Sequence, residues 1–240
     1  MQDIEVFVLC GGKGTRLGTL THDIPKPMLN IGQTPFLELL VRFFLSRGLL
    51  QFTFCTGHLS KKIEKHFGNK FLGATIRYSH ETEPLGTGGA LVEALKCSNA
   101  DWVLVCNGDT LVDFDVEKML LDHVKDPAPA IVVVKVPDVS RYGLVELIDD
   151  KVVFIQEKGS TGPGYINAGV IMLSRKDILA KHLSGYFSLE EILLPKLIAE
   201  KPLNAIKTES FFVDIGLPET YDELNKNSHK AKILAEGNLE

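Results

Sequence analysis

Positive charge is scarce in this 240-residue chain: 26 Lys and Arg stand against 31 Asp and Glu, a formal net charge of −5. Tracking nucleic acid takes a broad basic face, so that class of partner is not expected. Any anionic ligand must instead be held by a few placed cations or by a metal. Long apolar runs are missing too. None reaches the roughly 18 residues that would cross a bilayer, and the opening MQDIEVFVLC has neither the basic start nor the long apolar core of a signal peptide. The four cysteines (Cys10, Cys55, Cys97, Cys106) show no C-x-x-C spacing. Three lie in apolar strand-like runs, where a reduced, buried thiol is the usual state, so a cytoplasmic, reducing compartment is expected. The seven histidines form no H-E-x-x-H, which argues against a zinc site. No G-x-S-x-G elbow is present, so nothing points to a serine nucleophile.

What is present alternates regularly in the first half. IEVFVLC (4–10) is a continuous apolar run of the kind found in strands covered on both faces. PFLELLVRFFLSRG (35–48) has helical spacing, with proline at its start and glycine at its end. Strands are predicted at 51–56, 74–79 and 101–109, and helices at 59–68 and 88–97. Strand and helix taking turns with short links imply βαβ units and a parallel sheet. From about residue 130 the texture changes. AIVVVKV, GLVELI, KVVFIQEK and YINAGVIML follow one another with little helix between them, and Asp149-Asp150 marks a hairpin turn. A helical stretch at 188–200, a strand near 203–208 and a helix from about 218 close the chain. The expected fold is α/β: a Rossmann-like, mixed, mainly parallel sheet flanked by helices, with antiparallel strands added in the second half. No linker interrupts it, so 1–240 reads as one domain with a Rossmann-like half (1–130) and a half of added antiparallel strands (131–240), which the resemblance given below implies are the nucleotide-binding and sugar-phosphate-binding halves.

The first strand runs into LCGGKGTRLGTLTHDIPKPML. Two glycine-rich motifs are excluded. From Gly12 and Gly14 the third position of G-x-G-x-x-G falls on Leu17, and no register supplies the Lys-Ser/Thr of a P-loop. Ligands of open α/β sheets bind at the carboxyl ends of strands, where this loop sits. Gly11, Gly12 and Gly14 let backbone approach a phosphate chain closely. Arg16 offers a planar fork of donors, and Lys26, stiffened between Pro25 and Pro27, a point charge.

GGKGTRL with PKP closely resembles the sugar-1-phosphate nucleotidyltransferases, which make nucleotide sugars and release pyrophosphate. EPLGTGGA, NGD, RYG, QEK, NAG and FVDIG recur in the family's order, so the resemblance covers nearly the whole chain. It implies that the first loop (Leu9, Gly11, Gly12, Gly14, Thr15) wraps the triphosphate and that Arg16, Lys26 and Lys158 neutralise charge in the transfer. It also implies that Asp109 and Asp214 ligate Mg²⁺ and that Gly108 belongs to the nucleotide site. That role for Arg16, Lys26 and the metal suits nucleotidyl transfer, which needs positioning and charge neutralisation rather than a protein nucleophile.

In ETEPLGTGGA the resemblance assigns base reading to Glu83, Pro84, Gly86 and Thr87, with Gly86 leaving the base room to lie flat. Guanine offers N–H donors on its Watson–Crick edge, so Glu83 or Glu81 is a complementary acceptor and GTP the favoured nucleotide. Gly143, Glu157, Asn167 and Gly169 match positions that hold the sugar. Adjacent strand residues face opposite sides, so Glu157 and Lys158 can share a ligand only if the strand ends there.

IPKPML, EPLGTGGA and FVDIGLPETY look most like the guanylyltransferases that act on D-glycero-D-manno-heptose 1-phosphate for bacterial surface polysaccharide; mannose- and N-acetylmuramate-1-phosphate relatives have similar short forms. The expected substrates are therefore GTP and a sugar 1-phosphate and the cofactor Mg²⁺, with a homodimer as the candidate assembly. Two rivals remain: a metal-dependent glycosyltransferase using the D-x-D of Asp113 and Asp115, and a nucleotide-sugar sensor without turnover.

Overall fold

A run of residues buried on both faces needs neighbours on every side, and Ile4–Leu9 (β1) finds them deep inside a sheet. The computed structural model describes residues 4–156 and 159–237. Its further strands are Asn30–Ile31 (β2), Thr34–Pro35 (β3), Gln51–Thr56 (β4), Lys70–Phe71 (β5), Ala74–His80 (β6), Trp102–Asn107 (β7) and Thr110–Val112 (β8). Ala130–Val136 (β9), Leu144–Ile148 (β10), Lys151–Gln156 (β11), Gly164–Ser174 (β12), Leu203–Thr208 (β13) and Phe212–Asp214 (β14) follow. The helices are Phe36–Leu45 (α1), Ser60–Phe67 (α2), Gly86–Leu95 (α3), Val116–Lys125 (α4), Arg175–Leu179 (α5), Leu194–Glu200 (α6), Pro218–Lys226 (α7) and Ser228–Glu236 (α8).

Ten strands form one mixed sheet in the order β10-β11-β13-β9-β12-β7-β1-β4-β6-β5. The first half supplies the parallel block β7-β1-β4-β6. The eleven-residue β12 then runs antiparallel to β7 on one side and to β9 on the other, which carries the sheet into the second half without a break. Each face is covered by its own apolar core. Leu39, Phe43 and Phe54 are buried on one side, and Leu91, Val105 and Leu194 on the other. Glu5, a charge inside the central strand, is accommodated by the hydroxyl of Ser98 at 2.7 Å and the guanidinium of Arg77 at 3.1 Å.

Local chemistry accounts for most boundaries. Pro35 precedes α1, and Arg42 pairs with Glu38 one turn earlier at 2.7 Å. The Asp149-Asp150 hairpin forms as expected, both residues adopting positive φ (46° and 60°) as a two-residue turn of matching twist requires. α3 begins two residues before the predicted start. Its Gly-Thr-Gly-Gly opening is a weak helix former, but the N–H groups of Gly88 and Gly89 donate to the Phe187 carbonyl at 3.0 and 3.3 Å.

The predicted helix at 188–200 contains a π-type turn over Leu189–Leu193 before α6, next to Pro195, whose ring nitrogen cannot continue an α-helical ladder. The single helix expected from 218 is broken at Asn227. That break lets α7 dock on the Asn30–Gly32 turn through Tyr221 and Asn225, while α8 buries Ala231 and Ala235 against α1. Asp115 of the D-x-D pattern is the N-cap of α4, accepting from the Lys118 N–H at 2.8 Å.

Cys10, Cys55 and Cys106 are buried, and burial pushes each thiol well above its ordinary pKa; Cys97 is exposed. A disulfide-exchange reagent is therefore expected to titrate one thiol quickly in the native protein and all four after denaturation. Cys97→Ser should abolish the fast phase. Two or more fast thiols in the native protein would contradict this burial.

Candidate functional site

The carboxyl ends of β1, β4 and β7 open into a cavity of about 880 Å³, closed on the far side by residues 141–145, 155–156 and Asn167. Of the residues singled out from sequence, Leu9, Gly11, Gly12, Gly14, Thr15, Arg16 and Lys26 of the first loop line it. So do Glu83, Pro84, Gly86 and Thr87, together with Asp109, Gly143, Asn167 and Asp214. Two segments more than a hundred residues apart in sequence thus meet in one wall. Glu157 and Lys158 lie outside the described residues, and β11 is described as far as Gln156.

The three glycines of the first loop have separate reasons to be there. Gly14 takes a left-handed φ of 66°, and a Cβ on it would stand 3.1 Å from the Lys26 Cβ. A Cβ on Gly11 would strike Glu81 Oε1 at 2.5 Å, whereas one on Gly12 would meet nothing within 4 Å. Gly12 is thus the one whose missing side chain leaves open cavity. Beyond it, Arg16 is exposed, while Lys26, at the start of a tight turn between two prolines, is only 8 % exposed.

Lys26 points at two acids. Its Nζ is hydrogen-bonded to Asp109 and lies 3.9 Å from Asp214 Oδ1. The acids are brought together by a two-stranded antiparallel ribbon: β8 pairs with β14, Thr110 stands opposite Asp214, and the Ile215 N–H donates to the Asp109 carbonyl at 3.0 Å. Asp214 also accepts from the Gly216 N–H at 2.6 Å and from Arg141 Nη2 at 3.0 Å. Burial, and then the neighbouring Asp109 charge, raise the Asp214 carboxyl above the ordinary aspartate range, against the pull of Lys26, Arg141 and the Gly216 N–H. Two converging carboxylates of which one is disfavoured as an anion form a fitting donor set for a hard divalent cation, with ligand oxygens and water completing the shell.

Glu81 and Glu83 separate clearly. Glu81 Oε2 accepts the Leu85 N–H at 2.9 Å and braces its own turn, whereas Glu83 is exposed at the cavity wall. Gly86 combines a φ of 70° with a tight contact, since a Cβ there would lie 2.5 Å from the Phe187 carbonyl oxygen. Its glycine is demanded by the backbone and by the 185–188 strap, a different reason from room for a flat base. Gly108 and Gly169 are not among the lining residues. Gly108 lets β1 and β7 meet, its N–H donating to the Leu9 carbonyl at 2.9 Å, and Gly169 (φ 76°) packs on Asn107 at a bulge in β12. The Asn167 carboxamide accepts the Gly169 N–H at 2.9 Å across that bulge.

Sequence reasoning passed over Arg141, Tyr142, Gln156 and Glu190, all in the cavity wall. Arg141 had a signal, standing directly before the tyrosine and glycine of the RYG motif. Glu190, bound by the Thr87 hydroxyl at 3.0 Å, had none.

A carboxyl whose folded pKa is raised binds its proton more tightly in the folded state. Its contribution to stability is present below the unfolded value and is lost as pH rises through the folded one, so at neutral pH the ionised Asp214 is a net cost. Asp214→Asn is accordingly expected to unfold at a temperature equal to or above the parent's at pH 7–8 without divalent ions. A marked drop in that melting temperature would contradict the assignment.

Residues 5–231 match the family model described as nucleotidyl transferase. The chain is 35% identical over 224 residues to D-glycero-alpha-D-manno-heptose 1-phosphate guanylyltransferase of Aneurinibacillus thermoaerophilus, covering 93% of this chain and 97% of that one. It is 37% identical over 220 residues to the enzyme of the same name from Campylobacter jejuni, covering 91% and 97%. The crystal structure of HddC from Yersinia pseudotuberculosis complexed with GMP-PN superimposes with a TM-score of 0.79 at 34% identity, over 93% of this chain and 99% of that one. With a glycine-rich loop, a buried lysine and two converging aspartates at the mouth of a mixed α/β sheet, the chain belongs to the nucleotidyl transferase family.

Proposed function

We propose that the protein transfers GMP from GTP to D-glycero-D-manno-heptose 1-phosphate, giving GDP-heptose and pyrophosphate. The observation that carries the reading is Lys26 set between Asp109 and Asp214 in a cavity entered past Gly12. Two relatives that share over a third of their residues with this chain, and bear that activity in their names, point to the acceptor. In the chemistry proposed, an oxygen of the sugar phosphate bonds to the α-phosphorus of GTP in line with the leaving group. The bond from that phosphorus to the bridging oxygen breaks, its electron pair departing with pyrophosphate.

The protein's contribution is placement and charge. Arg16 and Lys26 meet negative charge on the nucleotide phosphates as it shifts toward the leaving group. Asp109 and Asp214 would hold Mg²⁺, which when bound neutralises phosphate charge. Glu83 accepts hydrogen bonds from the guanine edge. With GTP as donor, the reading places the protein in the cytoplasm.

Pyrophosphate release with GTP, UTP, dTTP and ATP against heptose, mannose, glucose and N-acetylmuramate 1-phosphates tests this directly. GTP with the heptose phosphate should give the highest kcat/KM, and a clear preference for UTP or dTTP would defeat the role given to Glu83. Lys26→Ala and Arg16→Ala are each expected to lower kcat by about 10²-fold or more with the fold retained, the usual loss for one preorganised transition-state contact. Near-normal turnover by folded Lys26→Ala would remove Lys26 from the mechanism.

A further inference from the structure

Arg141 lines the cavity, and among the described residues its guanidinium is only partly committed. Nη2 reaches Asp214 Oδ2 at 3.0 Å, and Nε is buried and makes no hydrogen bond among the described residues. The guanidinium lies over the Tyr142 ring, 4.9 Å from its centroid, and that ring is braced edge-on by Phe212 at 5.7 Å. A planar fork of donors is thus held at the wall with Nη2 on a carboxylate and Nε unpaired among the described residues.

The charges at the centre of the site balance. Asp109 and Asp214 carry two negative charges, and Lys26 and Arg141, the cations paired with them, carry two positive ones. That pairing leaves the centre of the ligand-free protein without net positive charge, although both proposed substrates are anions. If the two carboxylates turn to a divalent cation, as the reading above requires, both side-chain cations are released together. Lys26 stands beside the first loop, on the nucleotide side. Arg141 leads into Gly143 and β10, on the opposite wall.

We propose that Arg141 is a further phosphate-binding cation of this site, held on Asp214 in the ligand-free protein and released to the phosphate of the sugar 1-phosphate acceptor when Asp214 turns to a divalent ion. The proposal rests on the guanylyltransferase reading and adds to it the residue that receives the acceptor's charge. Arginine suits the task because its fork can take two phosphate oxygens at once.

A purely structural Arg141 would anchor Asp214, and the two roles predict opposite effects on metal binding. Manganese binding to the protein without substrate, followed by electron paramagnetic resonance, should be several-fold tighter in Arg141→Met, because Asp214 loses a competing cation. In the same variant KM for the sugar 1-phosphate should rise about ten- to a hundredfold, the usual cost of losing a charged hydrogen bond, while KM for GTP stays within about twofold of the parent's, since no nucleotide contact has been removed. Arg141→Lys, which keeps the charge and loses the fork, should fall between the two in acceptor KM and serves if Arg141→Met does not fold. Weaker manganese binding in a folded variant, or an unmoved acceptor KM, would overturn the proposal. Whether the parent releases pyrophosphate from GTP and any sugar 1-phosphate decides the reaction reading separately. The manganese comparison needs no turnover and still reports whether Arg141 competes for Asp214.

Discussion

Two aspartates held side by side in a partly buried cavity are the constraint around which the rest of this structure is arranged. Like charges that close repel, and burial raises the cost, so the pair persists only where backbone fixes the acids and a cation sits between them. The β8–β14 ribbon does the first and Lys26 the second. Lys26 can do so because a proline on either side leaves its backbone little freedom, and because Gly14 clears the space against its Cβ. An arrangement that is unfavourable when empty is what a binding site for cation and anions needs, since ligands then relieve a cost already present in the fold.

The parallel half of the fold was legible because strands such as Ile4–Leu9 are buried on both faces and announce themselves as apolar runs, and Gln51–Thr56 has the predicted boundaries. Boundaries slipped where tertiary contacts overrode local preference. Nothing local about Gly86–Gly89 favours helix, and the Phe187 carbonyl that satisfies the helix start comes from a hundred residues away. The break at Asn227 likewise follows from what α7 and α8 each dock on, not from the residues between them.

The site was legible as a residue set and not as a geometry. A motif names the lysine, the arginine and the two acids, but only the ribbon shows that Asp109 and Asp214 share one ammonium group. The motif also says nothing of why each glycine is present. Gly11, Gly86, Gly108 and Gly169 are all required by close approach of protein to protein, whereas a Cβ on Gly12 would meet nothing within 4 Å. A signature that looks dedicated to ligand is therefore largely a signature of packing that shapes the cavity, which explains why its members lie on strand ends and tight turns.

The distribution of charge around the cavity gives the site a direction. On the first-half wall, Arg16 and Lys26 lie along the first loop, and Glu83 stands apart on the segment leading into α3. A ligand with an anionic chain at one end and a donor-bearing, uncharged ring at the other fits that wall in one orientation, chain toward the cations and ring toward the carboxylate. Reversal would set phosphate against Glu83, a repulsion between like charges. The second-half wall has the opposite makeup near the centre, where Arg141 is the cation beside Asp214, and farther out it offers the Asn167 amide and backbone at Gly143. That suits a ligand with a single charged group and many hydroxyls. The β12–β7 pairing joins these walls into one sheet, and Asp109, which follows β7, stands where the parallel and antiparallel parts of the fold meet.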